Sequence, residues 1–177
     1  MMKTPTDLKN YKKKIIVIIG HMGSGKSLVG KLLSRKLNWN YFDSDKEIEK
    51  NLNASIVDIF KTYGENFFRK KEEIVIKNLI KKKYSIISLG GGSITIKNIR
   101  NILEKKTISI FLKVDIDVLV KRLINNKKRP LLINTNIKNK IFQLNKERLS
   151  FYNNANIVVG NSKNIEKTID DIINILN

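Results

Sequence analysis

The chain contains no cysteine, which rules out disulfides and any zinc–thiolate site and fits a reducing compartment. It also lacks long apolar runs. Nothing approaches the length of a membrane span, and Met1-Met2-Lys3-Thr4-Pro5 carries no apolar signal stretch, so no membrane partner and a cytoplasmic location are expected. Neither an internal repeat nor a linker divides the 177 residues, a length suited to one domain, 1–177, with a real core. Acidic residues are scarce, 16 against 35 basic ones, leaving a net charge of +19.

A charge of that size invites a nucleic-acid reading, and Lys12-Lys13-Lys14, Lys81-Lys82-Lys83 and Lys127-Lys128 are the candidate contacts. The lysine excess, however, comes with an excess of Ile and Asn, and all three residues have AT-rich codons. The lysine runs also sit at element boundaries, where solvated charge is the usual outcome. No aromatic-interleaved basic strand is present, so no specific nucleic-acid partner is expected, and a nucleotide-regulated RNA-binding protein is the weaker alternative. Arginine is the scarce cation. Only six of the 35 basic residues are Arg, at 35, 69, 100, 122, 129 and 148. Where codon pressure runs toward lysine, a retained guanidinium points to a need for its planar fork. The segments around 69, 122–129 and 148 are therefore of interest.

What is present is an alternation of strand-like and helix-like stretches. Continuous apolar runs lie at Ile15–Ile19, Ser85–Leu89, Thr107–Val114 and Ile157–Val159, with a short one at Tyr41-Phe42. Runs apolar on both faces suit a parallel sheet covered by helices. Helical patterns fill Ser27–Leu37, Ser55–Tyr63, Glu65–Lys82, Asn98–Glu104, Ile116–Ile124, Asn139–Leu149 and Asn164–Leu176, with Ser55 and Asp115 placed as N-caps. The expected class is α/β, a five-stranded parallel sheet flanked by helices in three layers. Ligands would bind at the carboxyl ends of the strands. Two segments are too long for simple connections, Asp45 to about Gly64 and Asn125 to about Lys138. They are candidates for an acceptor-binding lobe (about 45–82 with the helix that follows) and a lid (about 125–138).

Four motifs carry chemistry. Gly20-His21-Met22-Gly23-Ser24-Gly25-Lys26-Ser27 fits G-x-x-x-x-G-K-S/T directly after the first apolar run, the P-loop context that binds a nucleoside triphosphate. Glycines let backbone N–H groups converge on phosphate at a helix start. Lys26 would reach the β- and γ-phosphates and the Ser27 hydroxyl would become a magnesium ligand. His21, at a variable position of that loop, is expected to act through its backbone. Phe42-Asp43-Ser44-Asp45 ends the short second strand. If it is extended, both carboxylates face one side, one suited to water-held magnesium and the other to an attacking hydroxyl; otherwise Asp45 caps the helix that begins at Lys46. Ser88-Leu89-Gly90-Gly91-Gly92-Ser93 would let a ligand lie against bare backbone, or simply turn. In Phe67-Phe68-Arg69-Lys70-Lys71-Glu72-Glu73, Arg69 and Glu72 share a helix face, an arrangement that alone is most often a solvated pair.

Taken together, these motifs resemble shikimate kinase, from about Lys14 to the C-terminus. The family pattern of P-loop, a D-x-D pair after an aromatic, G-E-x-x-F-R-x-x-E, G-G-G, R-P-L-L and a late arginine before tyrosine falls on Gly20–Ser27, Phe42–Asp45, Gly64–Glu72, Gly90–Gly92, Arg129–Leu132, and Arg148 ahead of Tyr152. The resemblance implies a P-loop NTPase fold, ATP as co-substrate, Mg2+ and the acceptor shikimate. It implies Lys26 on the transferring phosphoryl group, with Gly23, Ser24, Gly25 and Leu28 along the nucleotide, and Ser27 with water-linked Asp43 on the metal. Asp45, Arg69, Gly91, Gly92 and Arg148 would bind shikimate, Glu72 would orient Arg69, Arg129 would reach the phosphates from the lid, and Arg122 would lie against adenine. No partner chain is implied, and a monomer is expected. Leu28 stands where the family usually has Thr, and Gly160-Asn161-Ser162-Lys163 matches the family's last nucleotide loop only loosely. Trp39 is expected in the core near the second strand.

Overall fold

The computed structural model describes residues 6–8, 11–124, 130–133, 135–160 and 164–177. Its five strands are β1 (Ile15–Ile19), β2 (Asn40–Asp43), β3 (Ser85–Ser88), β4 (Ile108–Lys113) and β5 (Ile157–Gly160). They form one all-parallel sheet in the order β2-β3-β1-β4-β5. β1 is central and buried throughout, which is why it reads as an unbroken run of Ile and Val and not as an alternation. Its side chains still divide with period two. Ile15, Val17 and Ile19 join one core cluster; Ile16 and Ile18 join another.

The first cluster is closed by α2 (Ser44–Leu52), α3 (Ile56–Leu79), α4 (Lys97–Lys106) and α6 (Ile137–Asn153), through Ile48, Phe68, Ile76, Ile99 and Tyr152. The second is closed by α1 (Lys26–Leu37) and α7 (Ile165–Leu176), through Val29, Leu33, Ile169 and Ile172. A third, smaller cluster lies under the phosphate loop. There Met22 meets Leu119 and Leu123 of α5 (Ile116–Leu123), and Leu132, Ile141 and Leu144 on the α6 side. Each fully buried Leu or Ile contributes roughly 1.5–3 kcal/mol, so the two sheet faces fix the layers. Trp39 is buried as expected, its indole N–H donating to the Thr6 carbonyl at 2.9 Å.

Several local expectations are met and some are corrected. The expected division between Ser55–Tyr63 and Glu65–Lys82 is found as a break inside α3 at Gly64 (φ 77°, ψ 172°), a conformation that side chains resist. Ser55 caps α3 by accepting from the Asp58 N–H at 3.1 Å. Asp115 holds the N-cap position of α5 without a side-chain capping bond. The short helix α2 is expected only in the alternative in which Asp45 caps a helix from Lys46; its run of charges leaves little apolar periodicity, and only Ser44 and Ile48 are buried. α6 runs four residues beyond the expected Leu149, and that extension carries Tyr152. β5 is exposed on alternate residues because it is the sheet edge, so it is not covered on both faces as its composition suggested.

Candidate active site

The phosphate loop forms where β1 runs out. Gly20, Gly23 and Gly25 all have positive φ, and a Cβ on Gly20 would come 2.9 Å from the Leu112 carbonyl. The loop therefore closes against β4 only as glycine. Gly25 is the N-cap of α1, which has no acidic residue in its first turn, so the helix presents unneutralised N–H groups to the cleft. Lys26 Nζ donates to the Gly20 and His21 carbonyls at 2.9 and 2.8 Å, laying the ammonium across the loop. Arg122 on α5 donates to the Gly23 carbonyl at 2.9 Å and is tied to the loop from outside. Leu28 is exposed on the first turn of α1.

Beside the loop, the Ser27 hydroxyl donates to Asp43 Oδ2 at 2.7 Å. Asp43 Oδ1 accepts from the backbone N–H groups of Asp45 and Lys46 at 3.1 and 3.5 Å. This corrects one premise of the sequence reading: the chain is already helical at Ser44, so Asp43 and Asp45 do not project from one extended segment, and the residue that caps α2 is Asp43, not Asp45. Both carboxylates nonetheless line the same cleft of about 800 Å³ with Lys26 and Ser27. Tyr41 donates to Asp43 Oδ2 at 3.3 Å, and burial, reinforced by the Asp43 charge, pushes its hydroxyl up to about 12. Ser27 and Asp43 together form a hard oxygen donor set that fits a magnesium ion sharing its coordination with phosphate and water.

A small adjoining pocket is lined by Asp45, Arg69, Glu72, Gly90–Gly92, Arg148 and the apolar Met22, Ile56, Phe60 and Phe68. Arg69 Nη1 donates to Glu72 Oε2 at 2.6 Å, while its Nε and Nη2 both donate to Glu65 Oε1 at 3.1 and 2.8 Å. Glu72 is fully buried, so the pair is not the solvated helix face that its spacing alone suggests. The other Glu72 oxygen accepts from Ser93 at 2.6 Å. Burial pushes the Glu72 carboxyl up against the pull of Arg69. Burial alone would lower the Arg69 guanidinium, but Glu72 and Glu65 together raise it. Two of the three glycines are explained by these side chains. A Cβ on Gly90 would meet the carboxylates of Asp45 and Glu72 at 2.7 Å, and one on Gly92 would overlap the Arg69 guanidinium. Bare backbone is needed to receive the protein's own charged groups.

Arg148 closes the pocket from α6. It is 4% exposed, and its Nε and Nη1 have no hydrogen-bond partner among the described residues. Buried charged donors left open are costly unless an anion completes them. Below it, Tyr152 donates to the Gly91 carbonyl at 2.6 Å and stacks on Phe111. Arg129 lies outside the described residues, as do Lys127, Lys128 and positions 161–163 of the Gly160–Lys163 loop.

A model of the shikimate kinase family matches residues 22–177. The chain belongs to the shikimate kinase family. The shikimate kinase of Bartonella henselae is 40% identical over 162 residues, 92% of this chain and 77% of that protein. That of Buchnera aphidicola from Schizaphis graminum is 45% identical over 129 residues, 73% and 74% of the two chains. Among solved structures, a shikimate kinase from Acinetobacter baumannii in complex with shikimate superposes with a TM-score of 0.89 at 31% identity, covering 93% of each chain.

Within this shikimate kinase fold, the residues named from sequence that lie in the described region line one cleft and its adjoining pocket, except Ser24, which is fully buried, and Arg122, which reaches the Gly23 carbonyl from α5. Sequence reasoning missed Glu65, Ser93 and Tyr152. Glu65 stands in the G-E-x-x-F-R-x-x-E motif and four residues before Arg69, which was the available signal. Ser93 and Tyr152 stood in the glycine motif and after the late arginine without a role, since their partners are 21 and 61 residues away. His21 was expected to act through its backbone, and its carbonyl does hold Lys26. Its ring is also buried, with Nε2 3.0 Å from Asn145 Oδ1 and its face edge-on to Tyr152.

Proposed function

We propose that the chain catalyses transfer of the γ-phosphoryl group of ATP to the 3-hydroxyl of shikimate, giving shikimate 3-phosphate on the route to the aromatic amino acids. The observation that carries this reading is the pocket itself. Two arginines, one of them buried with open donors, face it together with one carboxylate beside the nucleotide cleft, a set that fits an acid bearing hydroxyls. Arg69 and Arg148 hold the substrate carboxylate, and the Gly91 and Gly92 backbone carries the ring. Asp45 accepts a hydrogen bond from the attacking hydroxyl and aims it at the γ-phosphorus. Lys26 and the loop N–H groups stabilise the charge that develops as the bond to the leaving ADP breaks. Ser27 and, through water, Asp43 would hold Mg2+, which would offset the negative charge of the phosphates.

The nucleotide lies along Gly23–Leu28 with Arg122 against adenine. α2 with α3 forms the acceptor lobe at about 45–82, while Arg129 and part of the lid expected at about 125–138 fall outside the described residues. Among the described residues no helix is long and apolar enough to cross a membrane. We place the enzyme in the cytoplasm as a monomer without a nucleic-acid partner. The test is an ADP-release assay with shikimate, gluconate and AMP supplied in parallel, with and without Mg2+. Magnesium-dependent turnover with shikimate alone is expected; turnover with gluconate or AMP and none with shikimate overturns the reading.

A further inference from the structure

Arg69 balances two carboxylates of the chain itself. Glu72 takes Nη1, and a single Glu65 oxygen takes both N–H groups of the Nε–Nη2 edge, one of the two edges able to receive a carboxylate as two parallel bonds. A third carboxylate would put three negative charges around one guanidinium. The two residents are not equally fixed. Glu72 is fully buried and held at its other oxygen by Ser93, whereas the Glu65 side chain is 48% exposed. Glu65 also follows Gly64 directly, where the helix is broken and nothing lies within 4 Å of an added Cβ.

We propose that Glu65 is an internal competitor for the substrate: it occupies Arg69 in the empty site and is displaced into solvent by the substrate carboxylate. The inference rests on the assignment of Arg69 to that carboxylate. Glu65 keeps the Arg69 guanidinium paired, and hence ordered, while the site is empty. It lowers the affinity for carboxylate ligands by the strength of one exposed ion pair. Such a pair is worth up to about 1 kcal/mol, or roughly fivefold in affinity. Because the released side chain returns to water and Glu72 stays in place, the cost does not grow beyond that.

The experiment measures binding of shikimate and of its methyl ester, by calorimetry and by KM, to the wild type and to Glu65→Gln and Glu65→Ala. Both substitutions are expected to tighten shikimate by about two- to fivefold, the range of an exposed pair. The neutral ester and ATP should bind as in the wild type, because the competition exists only for a carboxylate. Should the ester be too weak to saturate, kcat/KM in the linear range gives the same comparison. If either variant binds shikimate no better than the wild type, or more weakly, Glu65 supports Arg69 and does not compete for it. An equal gain for the ester also overturns the proposal. Wild-type protein that binds no shikimate overturns the acceptor assignment and this inference with it, whereas binding without a gain in the variants overturns this inference alone.

Discussion

Replacing Arg69 by Lys keeps the charge and removes the fork. In the folded protein the guanidinium serves three N–H bonds to two carboxylates, with Glu72 fully buried and Glu65 half exposed. An ammonium on a flexible stem can satisfy the buried carboxylate but cannot also present two parallel donors to a ligand. A hydrogen bond to a charged group is worth about 1.5–3 kcal/mol, so loss of one donor to the substrate carboxylate raises the shikimate KM by about 10- to 150-fold. The fold is affected differently. Complete removal of a buried partner costs about 3–5 kcal/mol, but lysine still faces Glu72, so a loss of about 1–3 kcal/mol is expected. At 177 residues that corresponds to a melting temperature lower by about 2–12 °C. The assay is ADP release with shikimate varied at saturating ATP, then the reverse, beside thermal unfolding. The ATP KM should stay within about twofold, since Arg69 lies in the acceptor pocket and not among the residues that line the nucleotide cleft. An unchanged shikimate KM, with the melting temperature lowered or not, refutes the carboxylate role and leaves Arg69 as the structural partner of Glu72.

Two further outcomes are expected. Asp43→Asn should raise the magnesium concentration needed for half-maximal rate with little change in stability, because the amide oxygen can still cap α2 while the charge beside Ser27 is gone; a magnesium titration superimposable on the wild type would show that Asp43 does not serve the metal. His21 is pushed down from 6.5 to about 4, chiefly by burial, with Arg148 and Lys26 adding and the Asn145 bond opposing. The unfolded chain therefore binds the proton first, and stability should fall as pH drops from about 6.5 to about 4, by on the order of 3 kcal/mol at most. Denaturant unfolding across that range should show His21→Phe losing this slope, and parallel curves for the two proteins would disprove it.

The sequence by itself determined the phosphate loop, the sheet and the family. Those signals are contiguous or periodic: a glycine-rich turn after a buried run, Lys26 and Ser27 as the first two residues of a helix, and Ile-rich strands whose residues pack on two faces. Gly64 was legible as a helix break for the same reason, because a backbone conformation that disfavours side chains selects its residue locally. Tertiary structure alone decided the rest. The spacing of Arg69 and Glu72 predicts a solvated pair; the turn after β3 packs against it instead, with Gly90 beside Glu72, Gly92 beside Arg69, and Ser93, 21 residues from Glu72, bonded to its carboxylate. Asp43 and Asp45 were expected to point alike along a strand, but α2 begins between them, and they share the cleft because a helix start turns them there. Tyr152, His21 and the open donors of Arg148 meet only where α6 crosses the loops after β1 and β3. Burial and the identity of an unpaired donor depend on which distant elements close over a residue, and a chain read in order does not carry that.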